Sequence, residues 1–423
     1  MRRAAAVSKL VLIVAVIAVI SGQVFSFSSD VPRANLRWKT KVVTISISDS
    51  LTAANSSIKY GSDVSGAISR SLSAWENAAD ISFQRVNTKS ESVSPLGKAG
   101  DGVSLVTIAQ TPENVLLFGG GTDDVSAKTR VFYDRNGFIT EADIVLNPFL
   151  QFSTDGTAGT VDLESTLVHE VGHLLGLDHS PVLGAAMYEN NRKNGAAALN
   201  PHGLSEQDVS AVRALYGAQD DETCCGKVEG TLTILPARPT GGSFVWAESV
   251  ETGRVIAEAP VTAAGQFSLG GLSEGNYRLY FQSTIPGDKL NSTRSLGKIA
   301  VERDDVTTIN RRIRLGASGP TPLYIGVNGV ISTLAASVEP GRTTQIFIGG
   351  KGINQKNITI GSDSPFVSVS SGTISQDYGG GVTVLAVDIH VDDAAPPGEY
   401  SLFAESANGA RHFLVGSLVI GRR

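Results

Sequence analysis

Three of the chain's six histidines fall within eleven residues, in the segment His169-Glu-Val-Gly-His-Leu-Leu-Gly-Leu-Asp-His179. On a helix, residues i and i+4 lie one above the other, so His169 and His173 can grip one metal ion from the same face. Imidazole nitrogens at ~2.0–2.1 Å suit Zn²⁺, which is stable with three protein ligands and a water. Glu170, beside the first ligand, is placed to take a proton from that water. The ion lowers the water's pKa and polarises a carbonyl, and the carboxylate carries the proton to the leaving group. A continuing helix would carry His179 away, so a third ligand requires a chain reversal. Gly176 tolerates the left-handed backbone that such a reversal needs. One histidine alone is most simply a hydrogen-bonded core residue, but three at coordination spacing do not reduce to that.

The surrounding pattern supplies elements to position them. Lys41 to Ser48 alternates and predicts a strand, as do Ile81 to Val86 and Val103 to Ala109. Asp63 is a candidate N-cap for a helix through about Ala79, with Ile68, Leu72 and Trp75 on one face. Two strands, 129–133 and 138–146, flank Asn136-Gly137, a hairpin turn signal. The helix carrying His169 is predicted from about Asp162 to Leu175. Ser205-Glu-Gln-Asp208 has the form of a capping box opening another helix, with Val209, Val212 and Leu215 inward and Gly217 at its end. From Val228 onward, short strands separated by Gly, Pro and Asn suggest two β-sandwiches.

These residues resemble the metzincins, and within them the matrixins (matrix-metalloprotease-like zinc peptidases). Beside the zinc motif, Ser180 follows the third histidine, Ala185-Ala-Met-Tyr188 is similar to the Met-turn, Leu204 to Gly217 to the family's closing helix, and Arg37-Trp38-Lys39 to the start of the catalytic domain. The resemblance covers roughly residues 35–217. It implies an α+β catalytic domain, a twisted mixed sheet with three helices, followed here by two all-β sandwich domains. It also implies Met187 as a packing platform beneath the metal. Tyr188 is expected in the wall near the primary specificity pocket, with the segment from Glu189 to His202 lining that pocket. The family's second zinc needs upstream histidines, and none precedes His169, so one zinc is expected. No cysteine precedes Trp38, so a cysteine switch is not expected. Structural Ca²⁺ has candidate ligands in Asp123, Asp124, Asp134 and Asp143, although a solvated loop and a tight hairpin account for those aspartates as well.

Composition sets the compartment and the partners. Residues 1–26 have the form of a signal peptide: Arg2, Arg3 and Lys9 precede an apolar run from Leu10 to Ile20, shorter than the ~20 residues a spanning helix needs. An uncleaved anchor is the alternative. Net charge is −6 with no basic cluster, which argues against nucleic acid. The only cysteines, Cys224 and Cys225, are adjacent, and a bridge between them is disfavoured at the ~3.8 Å spacing of neighbouring Cα atoms. The expected division is 27–219 catalytic, 220–227 linker, 228–315 a sandwich resembling the transthyretin-like, carboxypeptidase-regulatory type, 316–322 linker, and 323–423 an immunoglobulin-like sandwich. The expected function is a secreted, monomeric zinc endopeptidase acting on protein or peptide substrates, with accessory modules suited to cell-surface or matrix protein or glycan. Composition and modules have a bacterial cast. The alternative is a cell-surface adhesion or scaffold protein with an inactive peptidase-like domain.

Overall fold

The computed structural model describes residues 36–421 except 120, 122–124, 191–192, 196–199, 220, 236, 238–239, 241, 284–292, 315–318, 354–357 and 378–380, with the backbone alone for 371–377. The signal segment, Asp123 and Asp124 lie outside the described residues.

The first region runs β1 (Arg37–Trp38), β2 (Val42–Ser48), α1 (Val64–Glu76), β3 (Ser82–Thr88), β4 (Leu105–Thr107), α2 (Pro112–Leu116), β5 (Ala127–Tyr133), β6 (Phe138–Leu146), β7 (Phe152–Ser153), β8 (Val161–Asp162), α3 (Leu163–Leu174) and α4 (Glu206–Tyr216). Strands β3, β2 and β4 are parallel neighbours, and β4 joins β6 in parallel. β1 runs parallel to the other end of β6, and β5 pairs antiparallel along its opposite side. The sheet is therefore mixed, with β5 at its edge. Gly137 turns the β5–β6 hairpin at φ +80°. The short α2, opened by Thr111 and Pro112, has no counterpart in the sequence reading.

Helix formation follows from caps and apolar spacing. Asp63 caps α1 by accepting from the Gly66 N–H, and Asp162 caps α3 by accepting from the Ser165 N–H. Ile68, Leu72 and Trp75 of α1 meet Leu167, Val171 and Leu174 of α3, with Ile45, Ile144 and Leu146 of the sheet, in one core. The Trp75 indole N–H donates to the Val168 carbonyl at 2.9 Å, fixing the two helices in register. Residues 163–172 of α3 are all buried, as expected for a helix enclosed on every side.

The remainder is β. β9 (Cys224–Leu235), β10 (Ser243–Ser249), β11 (Val255–Val261), β12 (Gln266–Ser273), β13 (Gly275–Ser283), β14 (Arg294–Val301) and β15 (Val306–Arg314) form two sheets, ordered β11-β10-β13-β14 and β12-β9-β15. β16 (Thr321–Val327), β17 (Val330–Ser332), β18 (Ala336–Val338), β19 (Thr343–Lys351), β20 (Ile358–Gly361), β21 (Val367–Asp377), β22 (Val382–Val391), β23 (Gly398–Ser406) and β24 (Arg411–Ile420) form two more, ordered β17-β16-β19-β22-β21 and β18-β24-β23-β20. β9 starts at Cys224, inside the stretch read as a linker, because the Lys227 N–H already donates to Asp305 ahead of β15. β16 likewise starts at Thr321, before the boundary expected at 323. Against expectation, Cys224 and Cys225 are bonded to each other, and the peptide between them is cis.

The two sandwiches meet across a polar and an aromatic seam. The Gln282 side chain donates to the Phe413 carbonyl at 3.1 Å and accepts from the Phe413 N–H at 3.0 Å. Tyr280 donates to Asp363, and Trp246 stacks on Tyr280 with ring centroids 5.0 Å apart. Glu248 is fully enclosed there, accepting from the Trp246 indole at 3.0 Å and the Ser401 hydroxyl at 2.7 Å. Burial pushes its carboxyl up to about 7, against the lowering effect of those two hydrogen bonds. The folded chain thus holds this proton more tightly than the unfolded one. The stability it contributes is complete below the ordinary carboxyl range and is lost as pH rises through about 7. In Glu248→Gln the amide oxygen can accept both hydrogen bonds without charge. The variant's melting temperature, measured by calorimetry, should exceed that of the natural chain by a margin that grows from pH 5 to pH 8. A margin independent of pH would contradict this account.

Candidate metal centre

His169 and His173 project from consecutive turns of α3, and the helix ends at Leu174, one residue after His173. The Gly176 N–H donates to His173 O at 2.9 Å and the Leu177 N–H to Gly172 O at 3.0 Å, with Gly176 at φ +98°. These are the paired bonds of a Schellman cap, which satisfies carbonyls a helix end leaves bare. A side chain at Gly176 is excluded twice, since a Cβ there would also collide with the Leu36 carbonyl. The last carbonyls receive further donors: the Trp38 indole N–H to Leu174 O at 2.9 Å and the Tyr216 hydroxyl to Leu175 O at 2.6 Å. Tyr216 in turn accepts from the Trp38 N–H at 3.0 Å. The first strand and the closing helix together fix the point from which the chain returns to His179.

The three imidazoles converge. Each offers a ligand nitrogen, and these atoms all lie within 4.8 Å of one another. The Nδ1 of His169 lies 2.7 Å from Ala186 O and that of His173 lies 2.8 Å from Leu177 O. Those carbonyls select the tautomer with the proton on Nδ1, so Nε2 is the ligand on both rings. The two Nε2 atoms are 3.1 Å apart. His169 is buried, His173 half-buried and His179 exposed, which leaves one side of the cluster open. His179 Nδ1 has Glu189 as an acidic neighbour at 3.7 Å. Three neutral nitrogen donors with an open side fit a zinc ion with a fourth position for water.

Glu170, next to His169 on α3, is buried. The Thr129 hydroxyl, on edge strand β5, lies 2.5 Å from Glu170 Oε2 and 3.2 Å from the Glu170 carbonyl. Sequence reading placed Thr129 on a strand but gave no sign that it orients the carboxylate.

Met187 is buried in the main core beneath α3. A Cβ on Gly172 would collide with its sulfur and crowd the Trp75 ring, so glycine lets the methionine pass under the ligand helix. Asp208, read from the sequence as a capping residue alone, also fastens the Met-turn. Its carboxylate accepts from the Ala186 N–H at 2.8 Å and the Met187 N–H at 3.1 Å, besides the Ser205 N–H at 2.7 Å and the Ser205 hydroxyl at 2.6 Å. It is fully buried, and no cation is among these partners.

The other sequence candidates fall elsewhere. Tyr188 points its hydroxyl to the Thr333 carbonyl of the last sandwich at 3.0 Å. Of the 189–202 segment, residues 191–192 and 196–199 lie outside the described residues. Asp134 is exposed in the β5–β6 turn, where it accepts from the Asn136 and Phe138 N–H groups. Asp143 is buried on β6, where desolvation pushes its carboxyl up to about 7. The turn and the buried strand position do not bring these two aspartates together. Among the described residues the three histidines are the one group of metal-ligand side chains that converges.

Asp208→Asn keeps the shape but loses the charge and one acceptor. It should cost about 2–3 kcal/mol in urea unfolding and release bound zinc to a chelator faster than the natural chain. Unchanged stability would show that the Met-turn does not depend on this carboxylate.

Residues 122–217, which include the three converging histidines and Met187, match the family model described as Matrixin. The metalloendoproteinase 4-MMP of Arabidopsis thaliana is 42% identical over 74 residues, 18% of this chain and 20% of its own length. The metalloendoproteinase 2-MMP of the same plant is 30% identical over 193 residues, 44% of this chain and 45% of its own. The chain therefore spans less than half of the length of either relative. Among solved structures, the major pilin subunit BcpA of Bacillus cereus is 15% identical, covering 45% of this chain and 67% of that one, at a TM-score of 0.19. The segment that carries the three converging histidines is thus similar to matrixin metalloendopeptidases, and it is joined to a largely β remainder.

Proposed function

We propose that the chain is a zinc-dependent endopeptidase exported through its N-terminal segment, with His169, His173 and His179 as the zinc ligands and Glu170 as the general base. The observation that carries this reading is the convergence of three histidine nitrogens, two with tautomers set by backbone carbonyls, around a side open to solvent.

A zinc ion bound there supplies a water of lowered pKa and polarises the scissile carbonyl. Glu170 takes the proton of the attacking water and delivers it to the leaving amine, so one carboxylate serves as base and then acid. Thr129, by donating to Oε2, orients that carboxylate. Edge strand β5, which carries Thr129, offers the free side of the sheet to an extended peptide by antiparallel pairing. That arrangement suits unfolded or loop segments of proteins.

The test uses the full chain. Metal analysis should give one zinc per molecule, and an unstructured protein should be cleaved. Glu170→Gln should lower kcat by a factor on the order of 10²–10⁴ while zinc stays bound. Zinc without Glu170-dependent cleavage would favour the scaffold reading instead. Thr129→Val, which keeps the side chain's shape and deletes its hydroxyl, should lower kcat about tenfold or more with little change in KM. An unchanged kcat would remove Thr129 from the reaction.

A further inference from the structure

The stretch between the third ligand and the Met-turn does not sit on the catalytic core alone. Residues 180–188 form a loop closed at its neck, where the Ser180 N–H donates to Met187 O at 3.0 Å. Its tip enters the seam between the two sandwiches. Val182 and Ala185 are fully buried against Trp246 and Phe413. Leu183 packs its side chain into the core of the last sandwich, and its N–H donates to Val415 O at 3.0 Å. Gly184 and Gly416 are pressed so closely that a Cβ on Gly184 would meet Glu399 and Val419, and one on Gly416 would collide with Val182. The Tyr188 hydroxyl adds the bond to Thr333.

We propose that the last sandwich is a positioning element of the metal centre: by holding the tip of the 180–188 loop at Leu183 and Tyr188, it fixes the loop that carries Met187 and follows His179. The loop then has two independent anchors, the Asp208 carboxylate at Ala186 and Met187 and the sandwich at the tip. Slack at the tip reaches His169 through the Ala186 carbonyl, which selects its tautomer. It also reaches Met187 through Tyr188, its neighbour in the chain. Leu183 and Tyr188 are thus positioning residues that set zinc retention and the choice of cleavage position. Only these functional consequences rest on the peptidase reading; the clamp itself does not.

The experiment compares the full natural chain with Leu183→Ala, Leu183→Met and Tyr188→Phe. Amide hydrogen exchange at Ala185–Met187, the rate of zinc loss to a chelator, and the cleavage profile on a mixed peptide library are read in parallel. Leu183→Ala should raise exchange at those amides at least tenfold, speed zinc loss several-fold, and broaden the cleavage positions with KM rising more than kcat falls. Leu183→Met should restore all three. Unchanged exchange and zinc retention in a folded Leu183→Ala chain overturn the proposal and leave Asp208 as the sole anchor. Should Leu183→Ala not fold, Tyr188→Phe, which deletes one hydrogen bond and no apolar contact, decides on the same measurements. A natural chain that takes no zinc defeats the metal-centre reading, while exchange at the same amides still decides for or against the clamp.

Discussion

Two imidazoles one helical turn apart can share an ion, but the third must come from chain that has left the helix. The centre therefore depends on where α3 stops. Its last turn meets that requirement by satisfying nearly every carbonyl it exposes: two bonds from the reversal at Gly176 and Leu177, one from the Trp38 indole and one from the Tyr216 hydroxyl. An unsatisfied buried carbonyl costs as much as a lost hydrogen bond, so these donors favour one stopping point over its neighbours. The contact between Gly176 and the Leu36 carbonyl leaves no room for a side chain at the turn. Strand β1 and helix α4, at the two ends of this region, are thereby tied to the same reversal.

The return path faces a second requirement. Residues 185–188 must present a carbonyl to His169 and a thioether to the core while their own N–H groups are buried. Asp208 meets it with one carboxylate that accepts four hydrogen bonds, two of them from this stretch. A buried charge solvated by fixed donors avoids the cost of an unpaired one. Because Asp208 is also the third-position partner in the capping box of α4, the start of that helix and the 186–187 turn are one hydrogen-bonded unit. The same helix packs by its other side on β12, where Ser210 donates to the Gly270 carbonyl at 2.7 Å. Arg254 of the middle sandwich reaches both Glu206 of α4 and the Pro397 carbonyl of the last sandwich. The three regions therefore share contacts through α4 and Arg254.

What was legible in the sequence was local. Helical spacing, the caps at Asp63 and Ser205, the hairpin at Gly137 and the need for Gly176 each involve residues a few positions apart, and each has its counterpart in the structure. Asp208 was half read, because its bond to the Ser205 N–H is local while those to Ala186 and Met187 cross more than twenty residues. Thr129 went unnoticed for the same reason: its partner Glu170 is 41 positions away, and a threonine on a strand carries no mark of what it faces. Composition correctly suggested β-structure after α4. It could not show that residues 182–185 lie in the seam between the sandwiches, since a short run of Val, Leu, Gly and Ala has no periodicity to betray its neighbours.

The elements around the three histidines belong to different packing units. Strand β5 is an edge strand of a sheet whose order is set by β6 and the core under α3. The 180–188 loop shares its tip with two sandwiches, and its base is held by Asp208. Packed interiors transmit displacement because they hold few voids to absorb it. A shift of the sandwiches would therefore be felt at the 180–188 loop and at the Ala186 carbonyl beside His169. The Thr129–Glu170 contact lies within the first region, between β5 and α3. The carbonyl beside His169 instead belongs to a stretch that both sandwiches touch, and it is there that the β-domains would act on the candidate centre.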